Sequence, residues 1–591
     1  MGIPLPLWPP LPSPIKTLLL AGSTGSRHLQ ALGARTLALA ENTAGTAADR
    51  LALGREFLLA AWEEDPLDGE MAGQLLAWHA RSPFLDAATV ALLSAVSALW
   101  QRPGELRYYE RLAAERDFAR ARDYLDQQAE RDPLNLYWLQ QIDSIATLLN
   151  DTAWARDRLL REPGLAEPGL RPLRAWFEAN LLFAEGAYAA AAEAFSCAAG
   201  LYSDPDAGIS SCRLLPLERR AECLLRLGDP DAARGLWRQV LLRRPWHVNL
   251  MLHAHDCLAR PELVRPEFFW PADAALEPTL VLLYTWNKAP SLARTLETLA
   301  ASHGVRRLLV VDNGSTDDTP ALLQRWTERL GAQRLRVETL PVNIGAPAAR
   351  NWLMRMPELR QAQYAAFVDD DVLLPPDWLG RLHAARHYAP DAAVWGCRVL
   401  DAAAPRLLQA TDLHVLPAEA RDGDRAADPS GYPDLAQVHA RPFRISDLHN
   451  QVADYGQFDY LRPCASVTGC CHLFAVERLL ESGPFHLGLG PTQYDDLEHD
   501  LRQAFQGRFA CYQGFLGVRH LQRSGHAARR ERAATGNWLA NRYKLRHFYA
   551  ADEIQRLIQL QTERLENDLS ARLPLLHEML DMDQEGRRSA R

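Results

Sequence analysis

At Thr279 the chain changes its hydrophobic period, and that change limits the possible fold more than any other feature. Apolar runs at 280–284, 307–311, 335–340 and 364–368 alternate with helical stretches at 290–302, 319–331, 346–356 and 376–387. Strand–helix alternation of this kind builds a parallel, three-layer α/β sheet. Open sheets of that class bind ligands beyond the carboxyl ends of their strands. Three runs end there in polar motifs: Thr285-Trp286-Asn287, Asp312-Asn313-Gly314-Ser315 and Asp369-Asp370-Asp371. A fourth motif, Asp495 to Arg502, opens a predicted helix after the Gly488–Gly490 turn, and His520 stands at the end of a later strand. Oxygen-rich strand ends around one crevice suit a hard divalent cation and a phosphorylated ligand.

Residues 31–260 follow a different rule. They are Ala-, Leu- and Arg-rich, with apolar residues at three- and four-residue spacing, which predicts helices throughout. A repeat aligns on Arg116, Asn150, Gly186 and Gly228, in steps of 34, 36 and 42 residues. Five positions later stand Ala121, Ala155, Ala191 and Ala233; nine positions later stand Leu125, Leu159, Phe195 and Trp237. Pro133 and Pro245 close the first and last units. A small residue lets paired helices approach, and the bulky one fills the groove between units. The segment resembles a tetratricopeptide (TPR) array, whose repeat is 34 residues. Such arrays present a concave groove that commonly binds protein or peptide.

The remaining boundaries follow from composition. Residues 1–30 are Pro-rich, and 261–278 form a linker with four prolines around Phe268, Phe269 and Trp270. The α/β domain is expected over 279–550, and a helix with a charged tail over 551–591. Residues 401–460 are too long and irregular for a simple connector and read as a functional loop or lid. A chain of 591 residues should hold several cores. Its net charge of −9 offers no basic field for nucleic acid. Nine cysteines without a CxxC pair point to reduced, buried thiols and a cytoplasmic setting. Neither a signal peptide nor a membrane-spanning run is expected.

Each motif admits both a chemical and a structural reading. Ser315, Asp317 and their neighbours would cap the next helix in any case, but Asp312 sits directly on the strand end, where it can accept from the imide N–H of a uracil-type base. The loop Asn343-Ile344-Gly345 leads into a helix whose first turn offers backbone N–H groups and Arg350 to phosphate. Three adjacent carboxylates repel one another unless a cation compensates them. Alternation along an extended chain puts Asp369 and Asp371 on one side, to share a metal and diphosphate, and turns Asp370 elsewhere. A carboxylate of the Asp495/Asp496 pair can act as general base or merely complement the helix dipole.

In this order the motifs resemble a family 2 glycosyltransferase of the GT-A fold, over about 279–525. The resemblance implies the following roles. Thr285, Asn287, Asp312, Asn313, Ser315, Asn343, Gly345 and Arg350 bind the nucleotide-sugar. Asp369, Asp370 and Asp371 form the DxD element, in which Asp371, with Asp369 and His520, holds Mn2+ or Mg2+. Asp496 is the catalytic base; its neighbour Asp495 replaces the usual Glu. Arg502 matches the Arg that follows that pair. Gly469, within Thr468-Gly469-Cys470-Cys471-His472, lines the sugar and acceptor pocket, where the cysteines serve packing rather than attack. The implied reaction is an inverting transfer from a nucleotide-sugar; Asp312 is compatible with UDP or dTDP, which are favoured, and does not strictly exclude GDP.

A helical array joined to a transferase implies a protein or peptide acceptor held by the array. A polysaccharide or lipid-linked glycan acceptor is the alternative, and a non-catalytic scaffold is another. A nucleotidyltransferase would need a Gly-rich loop that Thr285-Trp286-Asn287-Lys288 lacks.

Overall fold

The alternation predicted after Thr279 is present almost residue for residue. The computed structural model describes residues 11–41, 47–161, 164–201, 214–264, 278–418, 443–446, 448, 452–523 and 532–581. They form two units, one of Met1–Leu258, Val452–Gln457 and Arg572–Arg591, the other of Ala259–Gln451 and Phe458–Ala571.

In the second unit the strands are β1 (Thr279–Thr285), β2 (Arg307–Asp312), β3 (Leu335–Thr339), β4 (Tyr364–Val368), β5 (Val372–Leu373), β6 (Trp395–Asp401), β7 (Leu408–Ala410), β8 (Val415–Pro417), β9 (Phe443–Ile445), β10 (Leu461–Cys464), β11 (Cys471–Ala475) and β12 (Ala510–His520). The main sheet runs β10-β12-β6-β11-β4-β1-β2-β3. Pairs β1–β2, β2–β3, β1–β4 and β6–β12 are parallel. Strand β11 lies antiparallel between β4 and β6. The inner strands are continuous apolar runs because both faces are covered: β4 is buried along its whole length, and β1 at all but one position. Helices Ala289–Ala301 and Thr319–Leu330 press Leu292, Leu296, Leu322, Leu323 and Trp326 onto that core. This is the α/β, mostly parallel architecture the sequence predicts.

Up to Leu258 the first unit is helical among its described residues, with fourteen α-helices from Ser13–Ala21 to Val248–Ala259. The repeat anchors fall between paired helices. Arg116, Asn150, Gly186 and Gly228 all take positive φ, at 58°, 55°, 76° and 85°. They join Arg107–Glu115 to Phe118–Arg131, Leu136–Leu149 to Thr152–Leu160, Arg171–Ala184 to Tyr188–Leu201, and Leu214–Arg226 to Pro230–Arg243. A left-handed residue ends each first helix, and Asp117, Asp151 or Asp229 then caps three of the second ones. The four alanines and the four bulky residues of the repeat are all buried.

The Pro-rich opening segment holds more helix than its composition suggests. Helix Ser13–Ala21 begins with Pro14 in its first turn, and Ser26–Glu41 starts inside the same segment. Proline is compatible with a first helical turn. The linker's Pro261–Val264 is a short helix whose Leu263 is buried in the α/β core; Phe268, Phe269 and Trp270 lie outside the described residues, as does 419–442 of the expected lid. The terminal helix spans Ala551–Asp581. No described helix is long and apolar enough to cross a membrane.

Candidate active site

The crevice lies where β1, β2 and β4 end and where the helix Asp495–Phe505 begins. At the end of β2, Asp312 is fully buried; its Oδ1 accepts the Ser315 N–H at 3.0 Å, and its Oδ2 has no hydrogen-bond partner. The three asparagines lock neighbouring loops together. Asn287, at φ 52°, accepts the Thr316 N–H through Oδ1 at 2.7 Å and donates its own N–H to Ser315 Oγ at 3.0 Å. Asn313 Nδ2 donates to Asn343 Oδ1 at 2.9 Å, and that oxygen also accepts the Gly345 N–H at 2.8 Å. Gly345 takes φ 84°, with the Pro491 carbonyl close to where a Cβ would sit.

At the end of β4 the three aspartates separate. Asp369 faces the Arg350 guanidinium at 3.7 Å. Asp370 turns to Thr285, whose hydroxyl donates to it at 2.7 Å. Asp371 bonds His520 Nε2 through Oδ1 at 3.0 Å and Lys288 Nζ through Oδ2 at 2.6 Å. Lys288 also reaches Asp370 at 3.3 Å. Burial opposes ionisation of Asp371, but the His520 hydrogen bond and charge, with Lys288, outweigh it and hold the carboxyl below its usual range. Burial raises Asp370, and the charge of Asp371 adds to it, against the pull of Lys288 and the Thr285 hydroxyl. Burial pushes Asp369 up to about 7 against the pull of Arg350. His520 is fixed from behind by Gln409 at 2.9 Å, so both ring nitrogens are engaged.

Arg350 is 4% exposed and joins the halves of the site. Its Nη1 donates to Asp495 at 3.0 Å, and its guanidinium lies over the Tyr284 and Phe485 rings at 5.5 and 5.2 Å. Asp496 Oδ2 accepts the Gly469 N–H at 2.7 Å, and Oδ1 accepts the Leu497 N–H at 2.8 Å. A Cβ on Gly469 would lie 2.7 Å from both Arg350 Nη2 and Asp496 Oδ2, so any side chain there would force one of them to shift. Arg502 stands apart from this group: it pairs with Glu498 at 2.8 Å and donates to the Ser482 and Pro484 carbonyls.

Of the expected site residues, Thr285, Arg350, Asp369, Asp370, Asp371, Gly469, Asp495, Asp496 and His520 thus form one connected cluster. Asp312, Asn313, Ser315, Asn343, Gly345 and Asn287 form the adjoining loop frame, and Arg502 braces a neighbouring turn. Sequence reading missed Lys288 and Gln409, for neither lies in a patterned motif. The resemblance continues more weakly through Gly536 to Lys544 but assigns no role to Asn541 there, whose Nδ2 donates to the Leu489 and Thr492 carbonyls and holds the loop before Asp495.

Ligand atoms of Asp369, Cys470 and His520 lie within 4.8 Å of one another. Burial holds the Cys470 thiol well above its usual range, with Asp369 and Asp371 adding to it. The carboxylate oxygen of Asp369 and the imidazole of His520 are the donors here that would hold Mn2+ or Mg2+.

Residues 280–435 match the family model described as glycosyl transferase family 2. Among solved structures, the mannosyltransferase PcManGT from Pyrobaculum calidifontis, in complex with GDP-Man and Mn2+, is 16% identical over 56% of this chain and 85% of its own, with a TM-score of 0.30. GalNAc-T7 with UDP, GalNAc and Mn2+ is 12% identical, over 43% of this chain and 45% of its own, at 0.31. S. aureus TarS 1-349 is 15% identical, over 40% and 57%, at 0.26. The match thus spans less than two thirds of these last two chains. No curated protein matches the sequence. The segment 280–435, with the strand ends that build the crevice, therefore belongs to glycosyl transferase family 2, and the α/β unit is a glycosyltransferase domain.

Proposed function

We propose that the α/β unit transfers a sugar, with inversion, from a UDP- or dTDP-sugar to a polypeptide acceptor held by the TPR-like helices. The observation that supports this reading best is the network Asp369–Arg350–Asp495 beside Gly469–Asp496, which gathers a base, a guanidinium and the DxD carboxylates from four separate segments. Asp496, oriented by two backbone N–H groups, takes the proton of the acceptor hydroxyl or thiol. The acceptor atom forms its bond to the anomeric carbon as the carbon–oxygen bond to the diphosphate breaks, and that electron pair leaves with the diphosphate. Arg350, fixed before substrate arrives, stabilises the charge that develops there. Asp371, Asp369 and His520 would hold a divalent cation, which would supply further positive charge to the same group. Asp312 Oδ2, buried and without a partner, accepts the imide N–H of uracil or thymine.

The test is a thermal-shift and hydrolysis screen of UDP-, dTDP- and GDP-sugars with and without Mn2+. Metal-dependent stabilisation by a UDP- or dTDP-sugar is expected. A folded protein that responds to no donor overturns the reading.

A further inference from the structure

The helical unit contains a six-residue piece of chain from far along the sequence. Val452–Gln457 belongs to that unit, almost two hundred residues after the helix Val248–Ala259. The piece is a self-bonded turn. Gly456 N–H donates to Asp454 Oδ1 at 3.0 Å, Tyr455 N–H to Gln457 Oε1 at 2.6 Å, and Gln457 Nε2 to the Ala453 carbonyl at 2.8 Å. Its own side chains satisfy these backbone groups, so the turn can leave its seat without exposing broken internal bonds.

The seat is built independently of the turn. The Arg219 guanidinium lies 4.1 Å from the Trp176 ring centre and donates to Asn180 Oδ1. Both partners belong to helix Arg171–Ala184. The Tyr455 ring centre lies 3.7 Å from the same guanidinium, and the ring packs at 5.1 Å from Phe183. Two aromatic rings thus contact one cation, and of the two Tyr455 comes from the distant segment. The next residue is equally constrained. Gly456 has φ 83°, and a Cβ there would meet the Glu222 carboxylate at 2.5 Å. Asn249 Nδ2 then donates to the Gln457 carbonyl at 3.0 Å. Beside the ring a small cavity opens, lined by Ser23, Thr24, Glu64, Glu218, Arg244 and His247 with Tyr455.

We propose that this seat is a docking site for polypeptide segments carrying an aromatic residue followed by glycine, closed in cis by Tyr455–Gly456. Stacking on Arg219 reads the aromatic ring, the Glu222 carboxylate and the left-handed backbone demand glycine next, and Asn249 holds the following carbonyl. The site goes beyond the transfer reaction and stands whether or not a docked chain is glycosylated. A cis segment at high effective concentration hides it from ligands in trans.

The test uses a fluorescent peptide with the sequence of residues 451–459 and the full-length chain in which Val452–Gln457 is replaced by six Gly and Ser residues. Anisotropy should show at least tenfold tighter binding than to the wild type. Replacing the peptide's tyrosine by alanine, its glycine by alanine, or Arg219→Gln in the protein should each abolish that gain. Equal binding by both chains, with matching thermal transitions, overturns the proposal. Should the replaced chain not fold, Tyr455→Ala serves instead: the free peptide raises its Tm and leaves the wild-type Tm unchanged. No rise in the Tm of Tyr455→Ala also overturns it.

Discussion

Arg350 and Asp495 meet at 3.0 Å across 145 positions of sequence, with side chains only 5% and 4% exposed. A buried pair of this kind contributes little beyond its desolvation cost, but removing one partner strands the other charge. Asp495→Ala should therefore destabilise the α/β unit by about 3 kcal/mol, less than the loss of an isolated pair because Asp369 remains near Arg350. The double variant Arg350→Met/Asp495→Leu should lose less than the sum of its singles. Urea unfolding of the four chains checks this, and strict additivity would mean that the pair is not coupled.

Gly469→Ala tests how closely the base is seated. Its methyl would lie 2.7 Å from both Arg350 Nη2 and Asp496 Oδ2, so one of them must shift. A displacement of that size at a reacting group lowers kcat by roughly 100-fold, while the Tm stays near wild type. Unchanged kcat in transfer assays would remove Asp496 from the base role.

Lys288 competes with a cation for Asp371 Oδ2, which it holds at 2.6 Å. Lys288→Ala should tighten Mn2+ binding by about tenfold, since one positive charge leaves a cluster of carboxylates. Calorimetric titration reads this directly. Weaker binding would show that the lysine orders the carboxylates rather than competing for them.

The parallel strands were legible because both-face burial writes itself as an unbroken apolar run, and β1, β2 and β4 begin or end within a residue of the expected limits. The helical repeat was legible at Arg116, Asn150, Gly186 and Gly228 because a left-handed turn is a local demand that recurs with the unit. Within the site, the carboxylates and Arg350 were legible, but how the polar residues divide their partners was not. Asn313 and Asn343 are spent on each other, Arg502 on two carbonyls, and Asp370 on Thr285. These choices depend on loops packing in three dimensions, and no spacing encodes them. The inclusion of Tyr455 in the helical unit is the extreme case, since the described segments on either side of it, Phe443–Ile445 and Leu461–Cys464, are strands.

Arg116 occupies the left-handed position that Gly186 and Gly228 fill in later repeats. A non-glycine side chain there is disfavoured by about 1 kcal/mol. Arg116→Gly should raise the stability of the helical unit by up to that amount, reduced by the lost bond from its guanidinium to the Ala113 carbonyl. A fall in stability in chemical denaturation would mean that the side-chain contact outweighs the backbone strain.

Asp500 gives the α/β unit a pH dependence of unusual sign. It is 1% exposed, and burial pushes its carboxyl up to about 7, against the Ser466 hydroxyl that donates to it at 2.7 Å and the His472 ring nearby. In the unfolded chain it ionises near pH 4. Between those values the folded state binds the extra proton, so the contribution of Asp500 to stability falls as pH rises from about 4 to about 7 and is level above that. The gap of about three units bounds the effect at about 4 kcal/mol. Asp500→Asn keeps the shape and the Ser466 bond without the titration. It should match the wild type near pH 4.5 and exceed it in stability at pH 8, measured by urea unfolding at both. An equal difference at the two pH values would show that Asp500 is ionised in the folded protein, with Ser466 and His472 compensating its charge in full.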